Sequence, residues 1–439
     1  MLQKNSRLDN FFHLTARKTD IKQEVLAGVT TFLSMAYILA VNPEILGSAG
    51  MDKTAVFTAT VLASIVGTLV MGLFANLPIA LAPGMGLNAF FTYTVVLAWH
   101  IPWQTALSGV FVAGLLFMLL SFTKMREQLI DIIPSTLKYA VSAGIGLFIS
   151  FSGLINAKII VPDKTSGVAL GNLHDPVVLL AVIGILITLV LVIRGVLGGI
   201  FIGTVITTII GILFGVIAVP RSIIGGLPSL HPLFAQSLFS LSNVFSLQMV
   251  VVILTFFLVG IFDTAGTVMG VVTQGGLIDE KQHVLGGGRA LVTGAVATTI
   301  GAVLGTSTTT AYAESTSGVA AGGRTGLTAI VTAFLFALSS IFAPLLAVVT
   351  SAVTVPALII VGILMMKNVQ YIDWNKMELA VPAFFTIIMM VLTFSISEGL
   401  AFGFILYPLT MLLKRRAKEV HPMMYALMVL FIAYFIFII

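Results

Sequence analysis

Charged side chains are scarce in this sequence: Asp, Glu, Lys and Arg make up 9% of the 439 residues, whereas hydrophobic residues make up 58%. Soluble domains carry roughly 25% charged residues, so this composition excludes a globular surface exposed to water. Cysteine is absent, which excludes disulfides, zinc–thiolate sites and thiol nucleophiles. Apolar stretches of about 20 residues, long enough to cross a bilayer as a helix, fill most of the chain. We therefore interpret it as a multi-spanning α-helical membrane protein.

Hydropathy divides the chain into two sets of seven segments. The first set lies near 24–46, 55–77, 79–99, 104–122, 137–155, 176–194 and 197–219. The second set lies near 246–272, 288–305, 308–321, 326–350, 353–367, 379–394 and 396–412. An odd number of spans in each half places the second half upside down relative to the first, as in many secondary transporters.

The predicted fold is an all-α membrane protein with 14 transmembrane helices in two inverted repeats of seven. The first repeat occupies 1–219, an extracytoplasmic linker 220–245 and the second repeat 246–412. A basic loop and an extra C-terminal hydrophobic helix occupy 413–439. The last apolar stretch, 422–439, is either a fifteenth span or a helix at the membrane interface.

The positions of the 22 Lys and Arg residues support this topology. With a cytoplasmic N-terminus, only Lys53, Lys158, Lys164 and Arg221 fall in outer segments, and all the others fall in inner ones. This asymmetry follows the positive-inside rule and accounts for the net charge of +5 without nucleic acid as a partner. We expect a multi-pass protein of the cell (inner or plasma) membrane with the lipid bilayer as its surroundings.

Two acids lie inside predicted spans, namely Asp263 and Glu314. A charge at the centre of a spanning helix costs about 2.5–3.5 kcal/mol on insertion scales, so such residues are rare and usually functional. The alternative is an acid that is protonated or hydrogen-bonded and only holds helices together. Glu398 lies at the turn between the last two predicted spans, where we expect a helix-capping residue.

Two spans are poor lipid-facing helices, the third of each half. Pro78 immediately precedes the third span, which contains Pro83, Gly84 and Gly86. The stretch 305–318, which covers most of the tenth span, has many Ser and Thr but no Leu, Ile or Phe. Irregular backbone at membrane depth is tolerated only where protein buries it or where it lines a cavity. Interrupted segments at matching places in two inverted halves indicate a binding site near the midplane.

The two halves also correspond weakly in sequence. Asn88 and Glu314 are 226 positions apart, and so are Tyr37 and Asp263. Two carboxylates, an Asn, hydroxyls and aromatics, without an intramembrane Lys or Arg, favour a neutral planar ligand with N–H donors over an anion. A carboxylate can accept two parallel N–H bonds, as from guanine, and Phe or Tyr can stack on a flat ring. One acid could carry a coupling proton, although sodium would also suit carboxylate, hydroxyl and carbonyl oxygens.

Enzymatic chemistry is not indicated. The glycine runs Gly286–Gly288 and Gly322–Gly323 have neither a strand before them nor a Lys-Ser/Thr after them, which disfavours nucleotide binding. The six His residues are dispersed in predicted loops, and no nucleophile–base constellation is visible. We expect no enzyme activity, no cofactor and no metal.

Five motifs resemble the AzgA-like branch of the nucleobase:cation symporter-2 family, and within it the bacterial guanine/hypoxanthine permeases. They are Glu24–Tyr37, Ala82–Phe91, Phe262–Thr267, Gly305–Thr310 and Pro356–Gly362. The resemblance covers essentially the whole chain. It implies that spans 1–4 and 8–11 form a core domain and spans 5–7 and 12–14 a gate domain, with short extended segments in spans 3 and 10.

The resemblance also implies that a purine nucleobase is held between spans three, eight and ten. Glu314 would bind it, Asn88 would lie in the site, and Asp263 would bind substrate or couple the proton. Phe90, Phe91 and Tyr312 would contact the ring. With Thr310 and Tyr37, these residues form the candidate substrate-binding set, and Asp263 and Glu314 are also the candidates for coupling.

Several alternatives stay open. Relatives of this branch commonly carry an Asp three residues before the position of Asp263, where this chain has Gly260, so the coupling stoichiometry is undetermined. An adenine-preferring permease fits the same motifs, and an anion transporter of the related fold is the next reading. An intramembrane enzyme or a channel is less well supported. A homodimer is compatible with the sequence, which does not determine the oligomeric state.

Overall fold

A computed structural model describes residues 7–121, 134–163, 166–220, 222–277 and 287–437. Lys164, Arg221 and Gly286 lie outside the described residues, as do residue 122 of the fourth predicted span and the last two residues of the C-terminal stretch.

Helices make up most of the chain. Helices α1 to α9 are Arg7–Phe12, Ile21–Met35, Ile38–Ser48, Lys53–Val70, Met85–Ala89, Trp103–Ser121, Ser135–Asn156, Pro176–Ile193 and Gly199–Leu213. Helices α10 to α18 are Gln236–Phe239, Leu247–Gln274, Gly287–Leu304, Ser315–Ala320, Gly326–Ser339, Ser351–Met366, Met377–Leu392, Ile396–Leu413 and Pro422–Phe437. The π-helical stretches Met71–Ala75 and Phe90–Ala98 extend α4 and α5. Short 3-10 helices occupy Leu241–Val244, Ser340–Val348, Lys367–Tyr371 and Ala417–Glu419, and strands β1 to β4 are Leu81–Pro83, Ile160–Asp163, Gly167–Leu170 and Thr309–Ala311.

Ten helices of the described chain are long and apolar enough to cross a membrane. Four shorter apolar helices occupy Met85–Ala98, Gly199–Leu213, Met377–Leu392 and Pro422–Ala433. Every predicted span except 308–321 falls on one of these helices, and 308–321 contains a strand followed by a helix of six residues. The chain is therefore a mostly helical, multi-pass membrane protein.

The helices pack into two groups. In the first, α4 packs against α12 and α14, α6 packs against α11 and α12, and α2 packs against α14. In the second, α7 packs against α15 and α16, α8 packs against α9 and α15, and α16 packs against α17. Smaller contacts, including α2 with α9 and α11 with α17, join the groups.

The two ends of the bundle can be distinguished by what covers them. The end that holds the start of α2, Asn76 and Arg324, here called the N-terminal face, is tied together by Arg17. Its guanidinium donates to the Asn76 carbonyl at 2.5 Å and to the Arg324 carbonyl at 2.9 Å. The opposite end, the linker face, carries residues 214–220 and 222–246, and there the Thr58 hydroxyl donates to the Pro228 carbonyl at 2.9 Å.

Glu24 fastens the start of α14 to α2 at the N-terminal face. Its buried carboxylate accepts hydrogen bonds from the backbone N–H groups of Arg324 (2.8 Å), Thr325 (3.3 Å) and Thr328 (3.1 Å), and from the Thr328 hydroxyl (2.6 Å). The first N–H groups of a helix have no partner within the helix, and negative charge is favourable beside them. Glu24 therefore caps a helix about 300 residues away in sequence.

Glu24→Ala is expected to lower the stability of the protein by about 2–3 kcal/mol, because buried N–H groups would lose their acceptor. Thermal unfolding of the purified protein in detergent measures the effect. Lys22→Ala, an exposed residue of the same helix turn, is the matched control and should leave the melting temperature unchanged. Equal melting temperatures for Glu24→Ala and the wild type would contradict the capping role.

Two elements were not determined by the hydropathy analysis. Strands β2 and β3 form an antiparallel hairpin in which Ile160 lies opposite Leu170, in a segment for which no structure was predicted. The C-terminal helix α18 lies alongside α17 in antiparallel orientation, because Phe404 stacks on Phe431 (5.6 Å) while Phe402 contacts Phe435 (5.3 Å). Helix α18 is therefore packed against the bundle.

Candidate functional site

The two interrupted spans cross each other as a short antiparallel ribbon. In it Leu81 of β1 lies opposite Ala311 of β4, and Pro83 lies opposite Thr309. The Gly84 N–H extends the pairing by donating to the Thr308 carbonyl at 2.8 Å. The predicted extended segments in spans 3 and 10 are thus confirmed.

Local sequence explains why the chain leaves the helix here. Pro83 has no N–H group to donate to a helix, and the β-branched run of residues 306, 308, 309 and 310 favours strand over helix. Gly305 has φ +95°, a conformation that other residues rarely adopt. Gly84 is required for a different reason: a Cβ at that position would lie 2.8 Å from the Thr310 hydroxyl.

Threonines from neighbouring helices complete the free edges of the ribbon. The Thr68 hydroxyl of α4 donates to the Leu81 carbonyl and accepts from the Leu81 N–H, both at 3.0 Å. The Thr298 hydroxyl of α12 donates to the Thr309 carbonyl at 2.9 Å. An unpaired backbone group at membrane depth costs several kcal/mol, so these bonds allow a two-stranded ribbon to persist inside a helical bundle.

Asp263 and Glu314 come together beside this ribbon. Asp263 lies on α11, where its carboxylate is close to the Thr310 side chain of β4. Glu314 immediately precedes α13, and its carboxylate accepts a hydrogen bond from the Tyr37 hydroxyl. The two acids interact electrostatically with each other, and neither forms an ion pair with any residue that the structure describes. The side chains of Asp263 and Glu314 are both half-buried in this structure.

A stripe of small and polar residues leads from these acids towards the N-terminal face. On α11 it includes Gly266, Gly270 and Thr273, all exposed, with the exposed side chain of Met269 among them, and on the other side Ala313 is exposed beside Glu314. A Cβ at Gly266 or Gly270 would meet no atom within 4 Å. The exposed surface of α8, by contrast, carries large apolar residues. The stripe is therefore suited to line a water-accessible path.

Asn88 occupies a buried polar network rather than the open stripe. Its Nδ2 donates to Oδ1 of Asn42 at 2.5 Å, and its Oδ1 accepts from the Ser307 hydroxyl. Asn42 in turn donates to the hydroxyls of Thr60 (2.7 Å) and Thr306 (3.0 Å). All five side chains are fully buried. The network joins α3, α4 and α5 to the segment that precedes β4.

The predicted aromatic residues lie close to the ribbon, but their rings or hydroxyl groups contact other residues of the protein. Phe90 and Phe91 are fully buried and face Phe256 of α11, with ring centroids 5.0 Å and 6.4 Å from it. Tyr312 is 5% exposed, and its hydroxyl donates to the Pro83 carbonyl at 2.6 Å. In this conformation, Glu314 accepts a hydrogen bond from Tyr37, and the hydroxyl of Tyr312 interacts electrostatically with both Glu314 and Asp263.

Gly260 lies one helical turn before Asp263 and faces the same ribbon. A Cβ at this position would lie 3.4 Å from Cγ2 of Thr308 and 3.9 Å from Cδ1 of Leu87, which are ordinary contact distances. The Thr308 hydroxyl is buried without a hydrogen-bond partner among the described residues. A side chain at position 260 would therefore point at the site. Because Gly260 has no side chain, Asp263 is the acid that α11 contributes.

Sequence reasoning missed Asn42 and Glu24. Asn42 lies within an apolar helix, where a polar side chain normally needs a partner across helices, and that signal could have identified it. Glu24 lies at the end of a predicted span, where acids are unremarkable. Glu398, expected to be a capping residue, lies in the first turn of α17, and its N–H donates to the Ser395 hydroxyl at 3.3 Å.

Comparison with known proteins gives consistent results. Residues 22–402 match the model of the Xan_ur_permease family, described as a permease family. The chain is 53% identical to guanine/hypoxanthine permease PbuG of Bacillus subtilis (strain 168), over 98% of this chain and 100% of that protein. It is 41% identical to adenine permease AdeP of Escherichia coli (strain K12), over 98% of this chain and 96% of that protein.

A solved structure shares the fold. The transmembrane domain of the cyanobacterial bicarbonate transporter BicA superposes with a TM-score of 0.63, covering 86% of this chain and 97% of that chain. The sequence identity is 20%, so this likeness concerns the arrangement of helices alone.

Proposed function

Because this chain belongs to the Xan_ur_permease family, we propose that it is a secondary active transporter that imports purine nucleobases, foremost guanine and hypoxanthine, by proton symport. The observation that carries the proposal is the pair of half-buried acids beside the β1–β4 ribbon. Neither acid is neutralised by a cation of the described chain. An unneutralised carboxylate at membrane depth costs free energy. Binding of the transported base by these carboxylates accounts for their presence.

The two acids suit different tasks. Glu314 lies at the start of a half-helix and is oriented by the Tyr37 hydroxyl, so its carboxylate can accept N–H groups from one edge of a purine. Hydrogen bonds to a charged acceptor are stronger than those to a neutral one. Asp263 lies close to Thr310 of the ribbon, and we assign it the coupling proton.

Packing supports fourteen spans in two inverted repeats divided at the linker 220–245. If α2–α3 corresponds to α11 and each later span to the one seven further on, the contact of α2 with α14 corresponds to that of α11 with α6. By the same correspondence, the contact of α7 with α16 matches that of α15 with α8. The contact of α8 with α9 likewise matches that of α16 with α17. Thr68 and Thr298 are also equivalent, because each completes one strand of the ribbon.

We assign the first packing group to a core domain and the second to a gate domain. Alternating access would then move one group against the other around the ribbon. The N-terminal face is cytoplasmic in this proposal, so the exposed stripe beside Asp263 and Ala313 makes the conformation described here inward-facing.

Tyr37→Phe is expected to raise the KM for hypoxanthine by about tenfold, because Glu314 would lose the hydroxyl that orients its carboxylate. A hydrogen bond to a charged group contributes about 1.5–3 kcal/mol, and 1.4 kcal/mol corresponds to a tenfold change. Initial uptake rates measured over a range of hypoxanthine concentrations determine KM. Tyr425→Phe, which removes a hydroxyl bonded to the Ala417 carbonyl far from the ribbon, is the control. An unchanged KM in Tyr37→Phe would contradict the orienting role.

Uptake of a panel of radiolabelled bases tests the proposed function. Cells lacking their own purine permeases would express the protein, and uptake of guanine, hypoxanthine, adenine and uracil would be measured at two external pH values. We expect guanine and hypoxanthine to be taken up faster at the lower pH. Preference for adenine would identify the alternative permease, and no uptake of any purine by membrane-inserted protein would refute the proposal.

A further inference from the structure

A second polar hollow lies near the linker face, away from Asp263 and Glu314. Its volume is about 160 Å³. It is open to the surface and lies between the two packing groups, bounded by α3 and the extension of α5 on one side and by α7 and α15 on the other. The polar side chains that line it include Glu44, Ser48, Tyr93, Asn156 and Ser351. We call it the outer hollow.

A hydrogen bond and an aromatic cluster close the floor of the outer hollow. Asn156 of α7 donates from Nδ2 to the Tyr93 hydroxyl at 2.5 Å, which joins the two packing groups. The Tyr93 ring meets Phe148 at 6.4 Å and Phe394 at 5.8 Å. Tyr93 is eight residues beyond Met85 at the ribbon, about 12 Å along a helix. The hollow is therefore separated from the ribbon by a closure that movement between the groups would open.

The chemistry of the outer hollow favours a neutral ligand. Glu44 pairs with Lys53 through Oε2 at 2.5 Å, which neutralises its charge and leaves Oε1 as an acceptor. A cation would compete with the Lys53 ammonium for the carboxylate, and an anion would compete with the carboxylate for that ammonium. The hydroxyls of Ser48 and Ser351 and the Asn156 carboxamide both donate and accept hydrogen bonds. The outer hollow thus offers one carboxylate, one carboxamide, hydroxyls and an aromatic ring. The same kinds of group surround the β1–β4 ribbon.

We propose that the outer hollow is a docking site that holds a purine base, through Glu44 and the polar groups facing it, before the closure formed by Tyr93 and Asn156 opens. This proposal rests on the proposed function, since it takes the same ligand class. A base that hydrogen-bonds to Asn156 would also compete with Tyr93 for the carboxamide donor, so docking favours opening of the closure.

The test is saturation-transfer NMR of hypoxanthine with purified protein in detergent, in the Glu314→Gln background that disables the ribbon site. We expect a signal from weakly bound hypoxanthine that falls at least threefold when Glu44→Gln is added. Asp163→Asn removes a carboxylate from the β2–β3 hairpin outside the hollow, and it should leave the signal unchanged. Empty micelles give the background.

A second variant keeps the test decisive if loss of the ion pair with Lys53 impairs folding, which size-exclusion chromatography would reveal. Ser351→Ala leaves that pair intact, and it should reduce the signal about twofold to threefold. Absence of a signal above background, or a signal indifferent to Glu44→Gln and to Ser351→Ala, would overturn the docking site. Hypoxanthine uptake by the wild type is measured in parallel: its absence refutes the proposed function, whereas normal uptake with a failed NMR test refutes the outer hollow alone.

Discussion

Glu314→Gln is expected to reduce uptake of guanine and hypoxanthine by at least about a hundredfold. The substitution keeps the size of the side chain but replaces one carboxylate oxygen by an N–H donor, which would oppose the N–H donors of the base. Charged hydrogen bonds contribute about 1.5–3 kcal/mol each, and the Tyr37 hydroxyl also loses its charged acceptor. Initial uptake rates of radiolabelled hypoxanthine in intact cells measure the effect.

Glu398→Gln is the matched control for this variant. Glu398 is also a half-buried acid in an apolar helix, but it lies in the first turn of α17 and not at the ribbon. Its uptake should stay within about twofold of the wild type, a change of less than 0.5 kcal/mol. Both variants must be present in the membrane in equal amounts, as judged by immunoblot. Normal uptake by Glu314→Gln would remove this residue from the binding role.

Asp263→Asn is expected to abolish accumulation driven by a pH gradient while exchange of base across the membrane continues. Asparagine has nearly the same shape and can still interact with Thr310, but it cannot take up and release a proton. With one proton carried per base and the membrane potential collapsed, a gradient of one pH unit sustains about tenfold accumulation. In Asp263→Asn the ratio should fall to about one.

Two assays on reconstituted vesicles separate coupling from transport. The accumulation ratio is measured with an imposed pH gradient, and exchange is measured by counterflow of labelled against unlabelled hypoxanthine without a gradient. Thr267→Ser, on the turn of α11 after Asp263, is the control and should retain both. Unchanged concentrative uptake by Asp263→Asn would refute its coupling role, and accumulation by the wild type that follows a sodium gradient instead would identify sodium as the coupling ion.

The interruption of spans three and ten could be predicted because its causes are local. Pro83 and Gly84 in one segment, and the run of hydroxyl residues around Thr309 in the other, disfavour a lipid-facing helix regardless of what surrounds them. The presence of Asp263 and Glu314 inside apolar segments is equally local. That span eight, with Asp263, lies beside spans three and ten was implied by the resemblance to the nucleobase symporter family.

The exact partners of the buried residues could not be predicted, since these depend on contacts between distant segments. Asn42 and Thr306 are 264 positions apart, and Glu24 and Arg324 are 300 apart. Asn88 had the signature of a binding residue, yet its carboxamide is bonded to Asn42 and Ser307 here. Hydropathy also carries no information on the β2–β3 hairpin, because short strands outside the membrane leave no apolar run.

Reactivity of a cysteine beside Glu314 tests the central claim most directly. The chain has no cysteine, so Ala313→Cys introduces a single thiol at an exposed position of the site. Val219→Cys provides an exposed thiol at the linker face, immediately before the linker, as the control. We predict that a water-soluble maleimide modifies both, and that hypoxanthine slows modification of the thiol at position 313 alone. Modification at 313 that is absent, or that hypoxanthine leaves unchanged while the same protein transports the base, would contradict the account.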